Sequence, residues 1–366
     1  MNESPVSHFL SNKRVLVTGG CGTVGSELVR QLLERYHVSE LVACDNNESE
    51  LLFLEQRFDG SAHAHFFLGD VRDAGKLARL MQRIDVVFHT AAFKHVIHCE
   101  RSPYEAVQTN ILGVQNVIQA ARDNGVERMI FTSSDKAVNP TNVMGTSKLM
   151  GERLMTAASS KLRREGTVFA STRFGNVLGS RGSVIPIFRE QIRKGGPVTL
   201  TDPDMSRFIM TIEEAVRLVI ESSFLATGGE VFVTKMPVIR IQDLAEVMIR
   251  ELAPRFGHDP ERIEIRTIGS KAGEKLYEEL MNQEETRRTW ELPDYFVILP
   301  AFTPVYHSAR HAYPDVVSKE VREPYNSQNE TPLTQDELSD FLHRGRLLEE
   351  PEEFQPRERF WPEVHE

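Results

Sequence analysis

A glycine-rich loop near the start of the chain has the spacing of a phosphate-binding turn. The segment Thr18-Gly19-Gly20-Cys21-Gly22-Thr23-Val24-Gly25 lies between a predicted strand and a predicted helix. Its glycines let the backbone turn tightly and approach a pyrophosphate, and the helix N-terminus adds N–H donors. Asp45 follows Gly25 at the distance where an acid binds ribose hydroxyls and disfavours a 2′-phosphate. The loop therefore predicts a bound nicotinamide dinucleotide, NAD rather than NADP. The alternative is an ordinary turn with Asp45 as a helix cap.

A second segment whose side chains could take part in a reaction is the polar run Ser-Ser-Asp-Lys at 133–136, after the fifth predicted strand. In a dinucleotide-binding sheet this loop faces the place where the nicotinamide lies. A helix is predicted to begin near Met144, and Lys148 lies one turn later on the same face, where an ammonium can hold the nicotinamide ribose. The alternative is that Asp135 and Lys136 form a surface ion pair that caps the loop.

Strand and helix patterns alternate along the first half of the chain. Apolar strand-length segments separated by helix-length segments indicate βαβ units and a parallel sheet. Right-handed crossovers then give an α/β fold with a doubly wound sheet of the Rossmann type, whose ligands lie beyond the carboxyl ends of the strands. The predicted strands cover 13–18, 40–45, 63–68, 85–89, 128–132 and 167–173, and the predicted helices cover 23–35, 48–58, 73–83, 103–123 and 144–164.

The pattern becomes less regular after about residue 175, where prolines interrupt it. We therefore expect a Rossmann domain over 13–175 and a smaller C-terminal substrate-binding part over 176–347, interleaved with the first. An N-terminal arm over 1–12 and an acidic tail over 348–366 complete the predicted division. The chain of 366 residues has room for one large domain or two moderate ones.

Composition excludes several classes of protein. The net charge of −10 argues against general nucleic-acid binding, which needs a basic surface. No apolar run of about 18 residues and no signal-peptide pattern is present, so we expect no membrane span. The three cysteines lack CxxC spacing, which indicates neither a disulfide framework nor a metal site. We therefore expect a protein of the reducing cytoplasm that holds no metal.

Several further segments resemble those of a known enzyme family. They are GDVRD at 69–73, AAFKHV at 91–96, TNILG at 109–113, residues 132–148, RFGNVLGSRGSV at 173–184, TDPDMSRF at 201–208 and GEK at 273–275. With the glycine loop they cover most of residues 13–280. The chain resembles the extended short-chain dehydrogenases/reductases. More narrowly, it resembles the UDP-N-acetylglucosamine 4,6-dehydratases of capsule, O-antigen and flagellin-glycan biosynthesis. The specific element is the Asp-Lys pair followed by Asn139-Pro140, which ordinary 4-epimerases of the superfamily lack.

The resemblance implies a three-stage reaction. NAD would take a hydride from C4 of the sugar, water would be eliminated across C5 and C6, and the hydride would return to C6. Lys136 is the implied base at C5, and for this it needs a pKa lowered toward neutrality. Asp135 is the implied acid at the C6 hydroxyl, and for this it needs a raised pKa. The product would be a 4-keto-6-deoxy sugar nucleotide.

Met144 stands where the superfamily has its catalytic tyrosine, four residues before Lys148. A thioether cannot accept or deliver a proton, so the usual relay for the C4 hydroxyl is absent. Some members of the same dehydratase family also have methionine at this position. We therefore expect Lys148, Ser134 or Asp135 to take the C4 proton, directly or through water.

The resemblance also implies contacts along the crevice. The expected NAD contacts are Gly19, Gly22, Thr23, Val24, Gly25, Asp45, Asp70, Val71, Ala91, Ala92 and Lys148. The expected substrate contacts are Lys94, Asn176, Arg181, Arg207 and Glu274. Several of the matching residues have open alternatives. His95, beside Lys94, could bind the substrate or be a structural histidine. Asp70, which could reach the adenine edge, could instead be a turn residue, and Asn110, which could organise water behind the lysine, could instead be a buried helix amide.

Three functions follow from these patterns. The first is a UDP-N-acetylglucosamine 4,6-dehydratase of surface-glycan or deoxyamino-sugar biosynthesis, which binds a UDP-sugar and forms a homo-oligomer as relatives commonly do. The second is a nucleotide-sugar 4-epimerase, which does not require the Asp135-Lys136 pair. The third is a non-catalytic NAD-binding protein that has lost the tyrosine. The product formed from UDP-N-acetylglucosamine distinguishes the three.

Overall fold

The computed structural model describes residues 4–160, 166–180, 183–269, 274–302 and 311–350. Its strands are β1 (Arg14–Thr18), β2 (Glu40–Asp45), β3 (Ala64–Leu68), β4 (Val86–His89), β5 (Arg128–Ser134), β6 (Val168–Phe174), β7 (Asn176–Val177), β8 (Val198–Leu200), β9 (Ser206–Met210), β10 (Val231–Thr234), β11 (Val238–Arg240), β12 (Ile265–Thr267), β13 (Glu279–Met281), β14 (Thr289–Glu291), β15 (Tyr295–Ile298) and β16 (Tyr325–Asn326).

The helices include one π-helical and three 3₁₀ segments. The α-helices are α1 (Pro5–Leu10), α2 (Thr23–Glu34), α3 (Glu48–Arg57), α4 (Ala74–Leu80), α5 (Val96–Arg101), α6 (Pro103–Ala106), α7 (Val114–Asp123), α8 (Val143–Ser160), α9 (Val184–Arg193), α10 (Ile212–Leu225), α11 (Ile241–Leu252), α12 (Gln283–Thr286) and α13 (Gln335–Arg344). The π-helical segment is Val107–Gly113, and the 3₁₀ segments are Asp135–Ala137, Pro254–Phe256 and Pro260–Arg262. None of the helices in the described ranges combines the length and the apolar character that a membrane span needs.

A nine-stranded sheet in the order β14-β15-β10-β6-β5-β4-β1-β2-β3 forms the centre of the fold. Its first six strands in the sequence are all parallel, and β10 continues the parallel arrangement beyond β6. β15 runs antiparallel to both of its neighbours, β10 and β14. Because the strand order reverses between β1 and β4, a crevice opens at the carboxyl edge there. The prediction of a doubly wound α/β fold of the Rossmann type is confirmed.

The part of the chain beyond residue 175 contributes both to this sheet and to smaller ones. β10, β14 and β15 belong to the large sheet, whereas β7, β8, β9, β11, β12, β13 and β16 form three small sheets. One apolar cluster joins Val15 and Leu28 of the first part to Phe232 and Val297 of the second. The side chains that the second part brings to the crevice therefore share a packed core with the dinucleotide-binding strands.

The structure differs from the predicted elements at three places near the crevice. β5 extends through Ser134 instead of ending at residue 132, because Ser133 and Ser134 pair with the end of β6. The predicted helix over 103–123 is interrupted by the π-helical segment, which contains Asn110. α5 was not predicted, and it begins at Val96, after the loop that follows β4. π-helical turns and strand ends are frequently found at functional sites, and local periodicity alone does not show them.

The ends of the described chain are packed rather than extended. The predicted N-terminal arm contains α1, whose Leu10 is buried and whose Phe9 ring lies 5.9 Å from that of Phe224. Leu348, the first residue of the predicted tail, is buried in the apolar cluster around α9, α11 and α13. Residues 351–366 of that tail lie outside the described residues.

Arg173 of β6 forms a buried ion cluster that joins α8 to α12. Its guanidinium donates to Glu152 at 2.7 and 2.9 Å and to Glu285 at 3.1 Å, with only 1% of the residue exposed. We expect Arg173→Met to lower the free energy of unfolding by about 3–5 kcal/mol, because two buried carboxylates lose their counter-charge. Urea denaturation would measure this loss. Arg193→Met, which removes surface ion pairs, is the control and should cost about 1 kcal/mol or less. A loss below 1 kcal/mol for Arg173→Met would contradict the prediction.

Candidate active site

The predicted dinucleotide loop has the shape of a phosphate cradle. Gly19 has a left-handed backbone with φ of 74°, and a Cβ on Gly25 would overlap the carbonyl oxygen of Gly19. α2 begins directly after Gly22, which provides no side-chain cap for the helix N–H groups. The Oγ1 atom of Thr23 is buried without a hydrogen-bond partner among the described residues. These donors fit the pyrophosphate of a dinucleotide, because a helix N-terminus favours an anion.

Two acids border this loop at the carboxyl edge of the sheet. Asp45 accepts hydrogen bonds from the backbone N–H of Cys21 at 2.9 Å and of Asn47 at 3.0 Å. Asp70 accepts from the backbone N–H of Arg72 at 2.9 Å and from its guanidinium at 2.6 Å, and this hydrogen bonding is the main reason that the pKa of Asp70 is lowered. Asp70 is thus a turn residue, as one of the two interpretations predicts, and it also lines the crevice.

A single cavity of about 910 Å³ runs from the glycine loop past the end of β5 to the small sheets. It brings together almost all of the predicted site residues. Those that line it are Gly19, Gly22, Thr23, Val24, Gly25, Asp45, Asp70, Val71, Ala91, Ala92, Lys94, Ser134, Lys136, Met144, Lys148, Asn176, Arg207 and Glu274. Asp135 is buried behind this surface, with 3% of the residue exposed. The predicted contact Arg181 lies outside the described residues.

Asp135 and Lys136 begin the 3₁₀ turn that follows β5, and they form an ion pair. The Lys136 Nζ lies 2.9 Å from Asp135 Oδ2 and 3.5 Å from an oxygen of Glu278. Ser134 donates its hydroxyl to Asp135 Oδ1 at 2.6 Å. Asp135 is buried and the pair has further partners, which disagrees with the surface ion-pair interpretation. Only the lysine side chain reaches the cavity, with 34% of it exposed.

The protonation that the structure favours is opposite to the one expected from the implied roles. Burial opposes the ammonium of Lys136, but the carboxylates of Asp135 and Glu278 outweigh burial and raise its pKa. Burial also disfavours the Asp135 carboxylate, but Lys136 and the hydrogen bonds outweigh it and lower the pKa of Asp135. The expected lowering of the Lys136 pKa and the expected raising of the Asp135 pKa are therefore wrong, because each group is the other's counter-charge.

Glu278 is a member of this cluster that the sequence did not indicate. It is 5% exposed, and burial together with the neighbouring Asp135 charge raises its pKa to about 8. It therefore carries a proton at neutral pH, which is the property expected of Asp135. Glu278 lies in a segment with several other acids, and nothing in the sequence distinguishes the one that faces β5.

Lys148 of α8 is buried and anchored at the floor of the cavity. Its Nζ donates to the carbonyl oxygen of Thr132 at 2.9 Å and lies 4.6 Å from the centre of the Phe131 ring. Burial lowers the pKa of Lys148 to about 8. The ammonium can thus lose its proton within one pH unit of neutrality.

Two predicted neighbours of Lys148 are also located. Asn110 is buried, and its amide bonds the backbone of Phe93 and the hydroxyl of Ser147. This arrangement matches the interpretation of Asn110 as a satisfied helix amide. Met144 is 4% exposed and packs against Cys99 and other apolar side chains at the edge of the cavity. It brings no group that can transfer a proton to this position.

The residues expected to contact the substrate differ in how many hydrogen bonds and ion pairs their side chains already form with the protein. Arg207 is 6% exposed, and its guanidinium donates to the carbonyl oxygens of Ser206 and Lys275 and lies 3.3 Å from Glu278. Glu274 is partly exposed and lies 4.0 Å from Arg207. The guanidinium of Arg207 is therefore largely engaged by the protein, which leaves less of it for a diphosphate than the sequence suggested.

The chain is similar in sequence to several known proteins. Residues 15–300 match the family described as polysaccharide biosynthesis protein. An uncharacterized membrane protein of Methanocaldococcus jannaschii is 52% identical over 81% of this chain and 88% of its own. A UDP-N-acetylglucosamine 4,6-dehydratase (inverting) of Campylobacter jejuni is 38% identical over 80% and 84%. A UDP-glucose 4-epimerase of Rickettsia bellii is 35% identical over 90% and 95%.

The chain is also similar to solved structures. Pen of Bacillus thuringiensis superposes with a TM-score of 0.83 at 40% identity, over 93% of this chain and 99% of that one. The dTDP-glucose 4,6-dehydratase DesIV of Streptomyces venezuelae, solved with NAD bound, gives 0.62 at 25% identity over 72% and 86%. The resemblance to sugar-nucleotide dehydratases is confirmed. The chain belongs to the polysaccharide biosynthesis protein family of nucleotide-sugar dehydratases and epimerases.

Proposed function

We propose that this chain is an NAD-dependent UDP-N-acetylglucosamine 4,6-dehydratase of surface-glycan biosynthesis. The observation that carries the proposal is the buried contact of Asp135 with Ser134 and Lys136 at the end of β5, where the serine and the lysine open onto the cavity. An acid behind two proton-transferring side chains is suited to elimination of water. The C. jejuni dehydratase and the family description support the choice of substrate and of biosynthetic class.

NAD is the cofactor that fits the loop. The glycine loop and Thr23 would hold its pyrophosphate, and Lys148 would hold the nicotinamide ribose. The Asp45 carboxylate would accept ribose hydroxyls and repel a 2′-phosphate, which favours NAD over NADP. When bound, NAD supplies a hydride acceptor at C4 of the sugar and a hydride donor at C6.

The proton that leaves the C4 hydroxyl has a path in this site. Ser134 Oγ would accept it while its own proton passes to Asp135, 2.6 Å away. The proton on Asp135 removes the nearest negative charge from Lys136, which then loses its proton to solvent more readily. Lys148, with its lowered pKa, is the alternative acceptor. Met144 takes no part in either path.

The elimination then uses the same pair. Uncharged Lys136 would take the C5 proton. The proton on Asp135 would return through Ser134, whose hydroxyl lies between the carboxyl and the cavity, to the C6 hydroxyl, which leaves as water. Lys136 would return a proton to C5 after the hydride has reached C6. Asp135 gains the proton of the C4 hydroxyl and loses it to the leaving hydroxyl, and Lys136 takes and returns one proton at C5. The net change in the sugar is therefore the loss of one molecule of water. Because Lys136 reaches the cavity, its proton exchanges with solvent.

The test is the product of UDP-N-acetylglucosamine in heavy water, determined by mass spectrometry and NMR. We expect a 4-keto-6-deoxy sugar nucleotide, 18 mass units lighter apart from one deuterium at C5. The relationship to UDP-glucose 4-epimerases makes epimerisation the second candidate. A C4 epimer of unchanged mass would establish that candidate instead, and unchanged substrate would indicate a non-catalytic NAD-binding protein.

A further inference from the structure

The carboxyl of Glu278 is enclosed by the proposed catalytic pair and lies outside the cavity lining. Its Oε1 is 3.5 Å from Lys136 Nζ and 3.3 Å from Arg207 Nε. The Asp135 carboxyl is within hydrogen-bonding reach of it. Two carboxyl groups thus meet in a space from which water is largely excluded, since both residues are 5% exposed or less.

One oxygen of the Glu278 carboxyl accepts no hydrogen bond from the part of the chain that the structure describes. Its Oε2 is buried and has no hydrogen-bond partner among the described residues, because the neighbouring Asp135 is also an acceptor when ionised. Two like charges this close in a buried site repel strongly, and a single proton between them removes both the repulsion and the missing bond. The backbone keeps Glu278 in place, since its N–H donates to Ser327 Oγ at 2.9 Å.

We propose that Glu278 is a positioning residue of the dehydratase site, whose carboxyl shares one proton with Asp135 and so keeps the Asp135–Lys136 pair in its reactive geometry and charge. The proposal rests on the proposed function and adds a residue to it. With the proton present, Asp135 is the single carboxylate that receives the C4 proton from Ser134. Without the proton, a second negative charge holds Lys136 as an ammonium, and elimination at C5 slows.

Among the described residues, the ionisable groups that face Glu278 come from two elements. Asp135 and Lys136 belong to the turn after β5, and Arg207 belongs to β9. Burial is the main reason that the pKa of Glu278 is raised to about 8, and Asp135 adds to it, whereas Lys136 and Arg207 oppose it. The shared proton is therefore present at neutral pH and leaves as the pH rises past about 8.

The first experiment measures the proton through unfolding and does not need catalysis. Because folding raises the pKa of Glu278 from 4.5 to about 8, Glu278 stabilises the fold fully below pH 4.5, and this stability is lost as the pH rises to about 8. Glu278→Gln keeps a hydrogen-bond donor but cannot ionise. The unfolding constant of the wild type relative to this variant should therefore rise by up to about tenfold per pH unit between pH 5 and 8 in urea denaturation.

Two further variants make this measurement specific. Glu279→Gln removes the next carboxylate, which contacts Asn139 and Lys275 instead of Asp135. The unfolding constant of the wild type relative to Glu279→Gln should therefore not show the same rise with pH. Asp135→Asn removes the neighbouring negative charge. The rise of the unfolding constant with pH that Glu278 causes should therefore be shallower in a protein with this substitution. A ratio for Glu278→Gln that does not change with pH would overturn the shared proton.

The second experiment connects the proton to the reaction. Lys148 also has a pKa of about 8, and its titration affects the activity of the wild type and of Glu278→Gln alike. The quantity compared is therefore the kcat of Glu278→Gln divided by the kcat of the wild type. This ratio should rise with pH above about 8, by up to tenfold per unit, with KM changed less than about threefold. Glu278→Asp, which can ionise, should restore the wild-type pH profile at a lower kcat. A constant kcat ratio would overturn the positioning role. If the wild type forms no keto sugar, the proposed function fails, and the unfolding slopes still test the shared proton.

Discussion

Asp135→Asn is expected to lower kcat for keto-sugar formation by about 10²–10⁴-fold, the range for loss of a proton-transferring group. Asparagine is close in size and can still accept the Ser134 hydroxyl, but it cannot hold the proton that leaves C4 or give it to the C6 hydroxyl. KM should change little, because Asp135 is buried behind Ser134 and Lys136. Initial rates at saturating UDP-N-acetylglucosamine and NAD would measure the loss.

A matched control shows whether that loss is specific. Asp123→Asn makes the same change at an exposed position at the end of α7 and should leave the rate unaltered. Ser134→Ala should share part of the Asp135→Asn defect, because Ser134 Oγ is the atom between the cavity and the carboxylate. If Asp135→Asn keeps more than a third of the wild-type kcat, the path through Ser134 and Asp135 is excluded, and Lys148 becomes the acceptor of the C4 proton.

Lys148→Met is expected to stabilise the fold while it weakens catalysis. Burial lowers the pKa of Lys148 from 10.5 to about 8, so the charged form destabilises the folded state. This cost is full below about pH 8 and disappears as the pH rises to 10.5. A methionine avoids it, and the free energy of unfolding at pH 7 should rise by up to about 3 kcal/mol. Urea denaturation at pH 7 and pH 10 would show the gain shrinking at the higher pH.

The same variant should lose activity, because the ammonium is placed to hold the nicotinamide ribose. We expect weaker NAD binding, by about tenfold or more for a charge-assisted hydrogen bond, measured by titration of the protein with NAD. Lys194→Met at the exposed end of α9 is the control and should change neither property. Full activity with unchanged NAD affinity in Lys148→Met would remove Lys148 from the site.

Much of the fold could be predicted because its signals are local. The glycine spacing, the acid at the end of β2 and the alternation of strands with helices depend on neighbouring residues, and the first six strands are found where they are predicted to within a few residues. The extension of β5 to Ser134 and the π-helical turn at Asn110 were not predictable in this way. The extension of β5 depends on its pairing with the end of β6, which is far away in the sequence. In the π-helical turn, the side-chain amide of Asn110 binds the backbone of Phe93, which lies outside the helix.

The sequence by itself determined that this chain builds a dinucleotide-binding sheet and that Ser134, Lys136 and Lys148 meet the glycine loop at one crevice. The physical reason is that parallel strands end at the same edge of the sheet, so the loops that follow them converge. Only the tertiary structure decided which groups carry protons there. Glu278 arrives from a distant segment, and a pKa depends on charges and burial in space rather than on order along the chain.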